Sequence, residues 1–157
     1  MELRKLREDW EHTIHDEGGV CPVCDRWGKV YGRSLNMTMA RSLIWLCREA
    51  LQDPDAWVDV PNTAPRSIVR TNQLPTLAWW GLVERCHKND VNKTKYSGLW
   101  KPTQKGWQFY RREINIPHKV YTYNNTVEGF SNNLVFIEDC FENTFDYNEV
   151  MWGSFDD

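Results

Sequence analysis

The stretch from residue 71 to residue 110 does most to limit what this chain can fold into. An apolar segment closes on Trp79-Trp80-Gly81-Leu82-Val83-Glu84. A polar loop with three lysines runs from Cys86 to Gly98, and Leu99-Trp100-Lys101-Pro102-Thr103-Gln104-Lys105-Gly106 leads into an aromatic-rich segment. Gly81 offers the left-handed backbone a chain needs where a helix turns into a strand. Thr103 can cap the next helix by accepting a backbone N–H, and Gly106, three residues on, lets that helix pack closely. Helix, strand, charged loop, return strand and capped helix thus follow one another in a single short stretch. They predict an α+β architecture around an antiparallel strand pair.

Charge is spread unevenly over this frame. The formal net charge is −3 over 157 residues, yet all 19 Lys and Arg lie at or before Lys119. Residues 66–119 hold 11 of them against Glu84, Asp90 and Glu113, whereas residues 120–157 hold eight acids and no Lys or Arg. A basic cluster on the strand–loop–strand stretch predicts a phosphate-contacting face; an acidic end predicts a segment that avoids phosphate or docks on a basic protein partner. Hydrophobic residues make up 41% of the chain, with nine tryptophans, which is enough to bury a core. No apolar run approaches the ~20 residues of a membrane span. Met1-Glu2-Leu3-Arg4-Lys5 opens an amphipathic pattern rather than a secretion signal. The expectation is a soluble, cytoplasmic protein without membrane contact. Five cysteines, two of them in Cys21-x-x-Cys24, favour metal or reduced thiols over a disulfide framework.

Periodicity fills in the remaining elements. Leu3, Leu6, Trp10 and Ile14 recur at helical spacing, and Gly18-Gly19 ends that helix. A compact knuckle spans residues 20–25, and residues 27–33 can form a short strand. Asn36 or Thr38 can cap a helix running to about Leu51, with Met39, Leu43, Leu46, Cys47 and Ala50 on one face. Residues 57–60 suit a strand, residues 64–70 a short helix, and residues 73–80 a further helix with Pro75 in its first turn. A helix capped by Thr103 is expected to reach about Ile114. Strand formers at residues 119–123 and 126–130 flank Asn124-Asn125, a hairpin-turn pair. Residues 134–137 suit a third strand, and residues 138–152 read as an acidic, aromatic helix-and-loop segment.

The order of signals over residues 36–114 resembles a winged helix-turn-helix domain of the MarR-like kind. The resemblance implies that residues 73–80 are a recognition helix and that the lysine-bearing loop is a wing beside nucleic acid. It places Arg66, Arg70, Asn72, Gln73, Thr76, Lys88, Lys93, Lys95 and Tyr96 at such an interface. Base edges need donors and acceptors, and residues 73–80 contain no basic side chain; Asn72, Gln73 and Thr76 are what they offer. Arg66 and Arg70 lie just before and can hold phosphates. This set favours backbone contacts over base reading. The size, the tryptophan-rich winged helix and the added knuckle also resemble small phage or mobile-element proteins.

The knuckle raises a metal question. Two thiolates two residues apart in a proline-containing turn can face one ion, and soft thiolates suit tetrahedral zinc. His12 and His15 share a helix face, and the Gly18-Gly19 reversal could carry them over the turn. His12, His15, Cys21 and Cys24 are therefore the expected ligands of a structural Zn2+, with Cys86-His87 a rival second pair and Cys47 a rival single ligand.

The sequence thus predicts three parts: helix plus knuckle at residues 1–35, a winged-helix core at 36–114, and a β-rich acidic segment at 115–157 packed on that core. No phosphate loop, Ser/His/Asp arrangement or usable carboxylate pair stands out. The function expected is non-enzymatic: a DNA-binding protein, acting on duplex DNA as a regulator. The alternative is an adaptor or inhibitor that binds protein through the winged helix or through Glu138, Asp139, Glu142 and Asp146. Oligomers are allowed.

Overall fold

The computed structural model describes residues 2–24, 26–86, 98–124, 126–144, 147–153 and 155. Helices and strands mix along the chain, giving an α+β protein. It forms two compact units, each made from two stretches: Met1–Ser34 with Pro117–Asn133, and Leu35–Ile116 with Leu134–Asp157. Among the described residues, no helix is long and apolar enough to cross a membrane.

The first unit opens with α1, Leu3–His15. Gly18 ends it at φ 82, its N–H returning to the Thr13 carbonyl at 2.8 Å. Strands β1 (Gly19–Val20) and β2 (Trp27–Gly28) pair as a hairpin with Val20 opposite Trp27. Strand β3 (Tyr31–Ser34) then waits for a partner far along the chain. It finds β8 (Lys119–Tyr123), which pairs in turn with β9 (Thr126–Phe130), giving an antiparallel sheet in the order β3-β8-β9. Asn124, at φ 50, starts the turn between β8 and β9.

This pairing redraws the expected boundaries. The hairpin placed with an acidic segment at residues 115–157 belongs to the same compact unit as residues 1–34. The cause is backbone hydrogen bonding: four residues of β3 register against β8, from Tyr31 opposite Thr122 to Ser34 opposite Lys119. A strand with an unpaired edge gains by closing its ladder, however distant the partner in sequence.

The second unit is built on α2, Met37–Glu49, whose cap is Asn36; the Met39 N–H donates to Asn36 Oδ1 at 2.9 Å. Met39, Ala40, Leu43, Ile44, Trp45, Leu46 and Cys47 are all buried, so this helix is apolar on nearly every side, as a central helix must be. Around it run β4 (Val58–Asp59), α3 (Val60–Thr63), α4 (Arg66–Thr71), a 3₁₀ helix (Leu74–Trp80), β5 (Val83–Arg85), β6 (Leu99–Pro102) and α5 (Gln104–Tyr110). The three strands form an antiparallel sheet in the order β4-β6-β5. The chain leaves this unit through β7 (Ile116–Pro117) and returns through β10 (Leu134–Val135), which pair with each other. A second 3₁₀ helix, Ile137–Thr144, and α6, Tyr147–Trp152, follow.

Two local devices hold the sheet to its helices. Gly81 turns the chain at φ 75, and the Leu82 N–H reaches the Leu77 carbonyl at 3.2 Å. Thr103 then bridges: its hydroxyl donates to the Gly81 carbonyl while accepting the Gly106 N–H at 3.0 Å. Gly106 sits so close that an added Cβ would run into the Leu82 carbonyl oxygen. Helix α5 is shorter than expected, because Arg112 takes φ 62 two residues beyond its end.

Candidate nucleic-acid interface

The helix expected at residues 73–80 is a 3₁₀ helix. Its apolar residues explain the tighter winding. Leu74, Leu77 and Trp80 recur every third position and all are buried, and three residues per turn aligns such a stripe. Trp79, next to Trp80, is half-buried. Pro75 near its start removes one donor where none is needed.

Upstream, α4 buries Ile68 and leaves Arg66 and Arg70 exposed; four residues apart, they share a side of the helix. Asn72 ends it in the left-handed region at φ 51, its N–H donating to the Ile68 carbonyl at 3.2 Å. The polar side chains expected to read bases are largely engaged in the turn. The Gln73 amide donates to the Thr71 carbonyl at 3.2 Å, and the Thr76 hydroxyl donates to the Gln73 carbonyl. Exposed Arg66 and Arg70 add positive charge to this stretch, and Asn72 is exposed beside them.

A groove of about 300 Å³ opens beside the turn. Pro61, Val69 and Asn72 line it, together with Arg85, Gly98 and Trp100 at the root of the loop that joins β5 to β6. The root is fixed to α3: the Val60 N–H donates to the Gly98 carbonyl at 3.0 Å, and Gly98 at φ 88 has no room for a Cβ beside Pro61. The Arg85 guanidinium lies 6.0 Å from the centre of the Trp100 ring. Arg85 is the basic residue the sequence reading passed over, although it stands one residue before the loop. Lys88, Lys93, Lys95 and Tyr96, with His87, lie outside the described residues.

Other charges of the basic stretch are engaged elsewhere. Lys101 Nζ lies 3.4 Å from Glu84 Oε1 and 4.5 Å from the centre of the Trp57 ring. The Arg111 guanidinium stacks over Trp107 at 5.3 Å. In the acidic segment, Glu138 Oε2 lies 3.3 Å from Arg112 Nη1, and Asp139 Oδ2 accepts the Phe136 N–H at 2.8 Å. Two of the four acids expected to meet a basic partner thus have partners inside the second unit. The side chains of Glu142 and Asp146 lie outside the described residues.

The expected zinc ligands are not brought together. Among the described residues, no three His, Cys, Asp or Glu form a group that could hold a metal ion. Helix phase accounts for this. The side of α1 turned to the knuckle carries Leu3, Leu6 and Trp10, which share a groove with Cys21, Pro22 and Val23. At ~100° per residue, His12 lies ~200° round the helix from Trp10, and His15 falls on that far side too. His15 instead lines a separate groove with Gly32 and Tyr121. Cys47 and Cys86 are buried within the second unit. Burial pushes the Cys47 thiol well above its ordinary value, Arg111 pulling slightly the other way.

Set against known proteins, the chain matches no family model, no curated protein and no solved structure.

Proposed function

We propose that the second unit is a winged helix-turn-helix that binds nucleic acid through its backbone, making this a non-enzymatic DNA-binding protein. The observation that carries the reading is the strand order β4-β6-β5. The return strand β6 is paired on both sides, so the flanking strands hold the two ends of the basic loop together as a fixed root. A helix pair ending in Asn72 and the 3₁₀ helix stands beside that root across one groove. Exposed Arg66 and Arg70 on α4, and Arg85 at the root of a loop whose sequence adds three lysines, suit contact with phosphate. Residues 73–80 carry no basic side chain, which favours backbone contact that is indifferent to sequence.

The test is a duplex-DNA titration over a range of salt. Affinity should fall steeply as salt rises, because bound phosphates release counterions. Arg66→Glu with Arg70→Glu should weaken binding equally on unrelated sequences and flatten the salt slope by about one to two units. Absence of binding at low salt, to duplex and single strand alike, would replace this reading with the protein-binding adaptor.

A further inference from the structure

The hairpin of β1 and β2 carries its cysteines on a tight turn. Val20 stands opposite Trp27, and the Cys21 N–H donates to the Arg26 carbonyl at 2.7 Å, which closes the loop between them. Cys21 and Cys24 therefore sit on one reversal of the chain, and neither is in a disulfide. Cys24 is exposed and Val23, between them, is 74% exposed. Two thiolates at this spacing on a hairpin tip grip one ion through both sulfurs.

Zinc in a structural site takes four such donors. The helix side that faces the turn is apolar, with Leu3, Leu6 and Trp10, so it offers none. The surroundings of the turn point outward. Leu3 and Val23, which line the same groove as Cys21, are exposed apolar side chains and form a collar beside the thiols. Such a collar suits a protein surface of the same character. The simplest one carrying two further thiolates is the same hairpin on another molecule, since a two-fold axis brings identical patches face to face.

We propose that Cys21 and Cys24 are half of a Cys₄ zinc site, completed by the same pair from a second copy of the chain. One zinc then bridges two hairpins, and the apolar collars close around it. Four thiolates on one Zn2+ leave two negative charges. Arg7, which lines the groove with Cys21, and Arg26, on the turn, supply compensating positive charge from each copy. The bridge would also staple a unit whose buried apolar side chains are few, Ile14, Val30 and Val120. None of this depends on the nucleic-acid reading.

The experiment uses the full chain purified without chelator. Zinc content and mass in solution are measured together, before and after addition of a chelator. The expected result is one zinc per two chains in a dimer that the chelator splits into folded monomers. Cobalt(II) put in place of zinc should give the visible and thiolate charge-transfer bands of a tetrahedral all-sulfur site. Cys21→Ser and Cys24→Ser should each abolish zinc and dimer, while His12→Ala with His15→Ala should change neither. Val23→Asp touches no ligand and should weaken the dimer through the collar alone, guarding against a cysteine variant that merely misfolds. One zinc per monomer, loss of the metal in the histidine variant, a dimer that survives chelation, or protein without zinc would each overturn the proposal.

Discussion

The two units hold themselves together by different means. In the second, Leu43, Leu46, Cys47, Leu74, Leu77, Trp80, Leu82, Phe109 and Ile137 are each 1% exposed or less. In the first, Ile14, Val30 and Val120 are buried, while Leu3, Val20, Val23, Trp27, Tyr31, Tyr121, Val127 and Phe130 stand exposed. The helices show the contrast most plainly. Helix α2 is buried over most of its length, whereas α1 buries Ile14. The second unit is a packed core with a sheet attached. The first is a set of paired strands with a helix laid along it, stabilised more by backbone ladders than by packing. A unit of the second kind tolerates little change inside; a unit of the first kind leaves apolar surface available to partners.

The largest expected effect tests that difference directly. Trp80→Ala removes a ring that is 1% exposed from the centre of the second unit and should cost about 3–5 kcal/mol. Val23→Ala, on a side chain that is 74% exposed, should stay within about 0.5 kcal/mol when a chelator keeps metal out of the comparison. Denaturant unfolding of both variants checks it. A cost above about 2 kcal/mol for Val23→Ala would break the comparison, because it would mean the knuckle is part of a core.

What was legible in the sequence was local. Asn36 caps α2, Thr103 caps α5, Gly81 turns a helix into a strand and Asn124 starts a hairpin, because each does its work within a few residues of itself. The antiparallel partners β5 and β6 were legible for the same reason, being joined by one loop. The pairing of β3 with β8 was not, since nothing near Tyr31 announces Lys119 as its neighbour. The 3₁₀ winding of residues 74–80 lay in the spacing of Leu74, Leu77 and Trp80, but a three-residue stripe over so short a stretch also fits one face of an α-helix. The placement of the expected zinc ligands turns on helix phase. His12 and His15 share a helix face, yet which face meets the knuckle is decided by Leu3, Leu6 and Trp10, the apolar stripe that gains most from contact. At the nucleic-acid face, Arg66 and Arg70 were legible as exposed charges, while Arg85 needed the groove to bring it beside Asn72.

A smaller effect separates the units by their thiols. Cys24 is exposed, Cys47 and Cys86 are buried, and the Cys140 thiol is pushed up to about 12 by burial, with Asp139 adding to the shift. At neutral pH a thiol with that value is roughly one part in 10⁵ thiolate, so native alkylation of chelator-treated protein should take Cys24 long before Cys47 or Cys140. The same shift has a stability consequence. Above the ordinary thiol value of 9.0, the unfolded chain gives up the Cys140 proton while the folded chain keeps it until about 12. The folded state then binds more protons, and stability falls as pH climbs through that window; Cys47, raised in the same direction, adds to the fall. Both thiols belong to the second unit, so its unfolding midpoint should drop on alkalinisation. A midpoint flat from about pH 8 to pH 11, or Cys140 labelled as quickly as Cys24, would contradict this.

The smallest effect concerns helix ends, and it bears on whether the units share one unfolding transition. Helix α2 has its side-chain cap in Asn36, and Asn36→Ala should cost about 1 kcal/mol, read as a lower unfolding midpoint. Helix α1 begins at Glu2, whose backbone is extended as a cap requires but whose side chain makes no capping bond. Glu2→Asp keeps the negative charge that favours a helix N-terminus and shortens the side chain to one that can accept the Arg4 or Lys5 N–H. It should stabilise α1 by up to about 1 kcal/mol. If the thin first unit opens separately, that gain appears as slower amide exchange in α1 with the main midpoint unmoved, whereas the Asn36→Ala loss moves the main midpoint. If both substitutions shift one and the same midpoint by comparable amounts, the units unfold together and the contrast between ladder and core stops at packing.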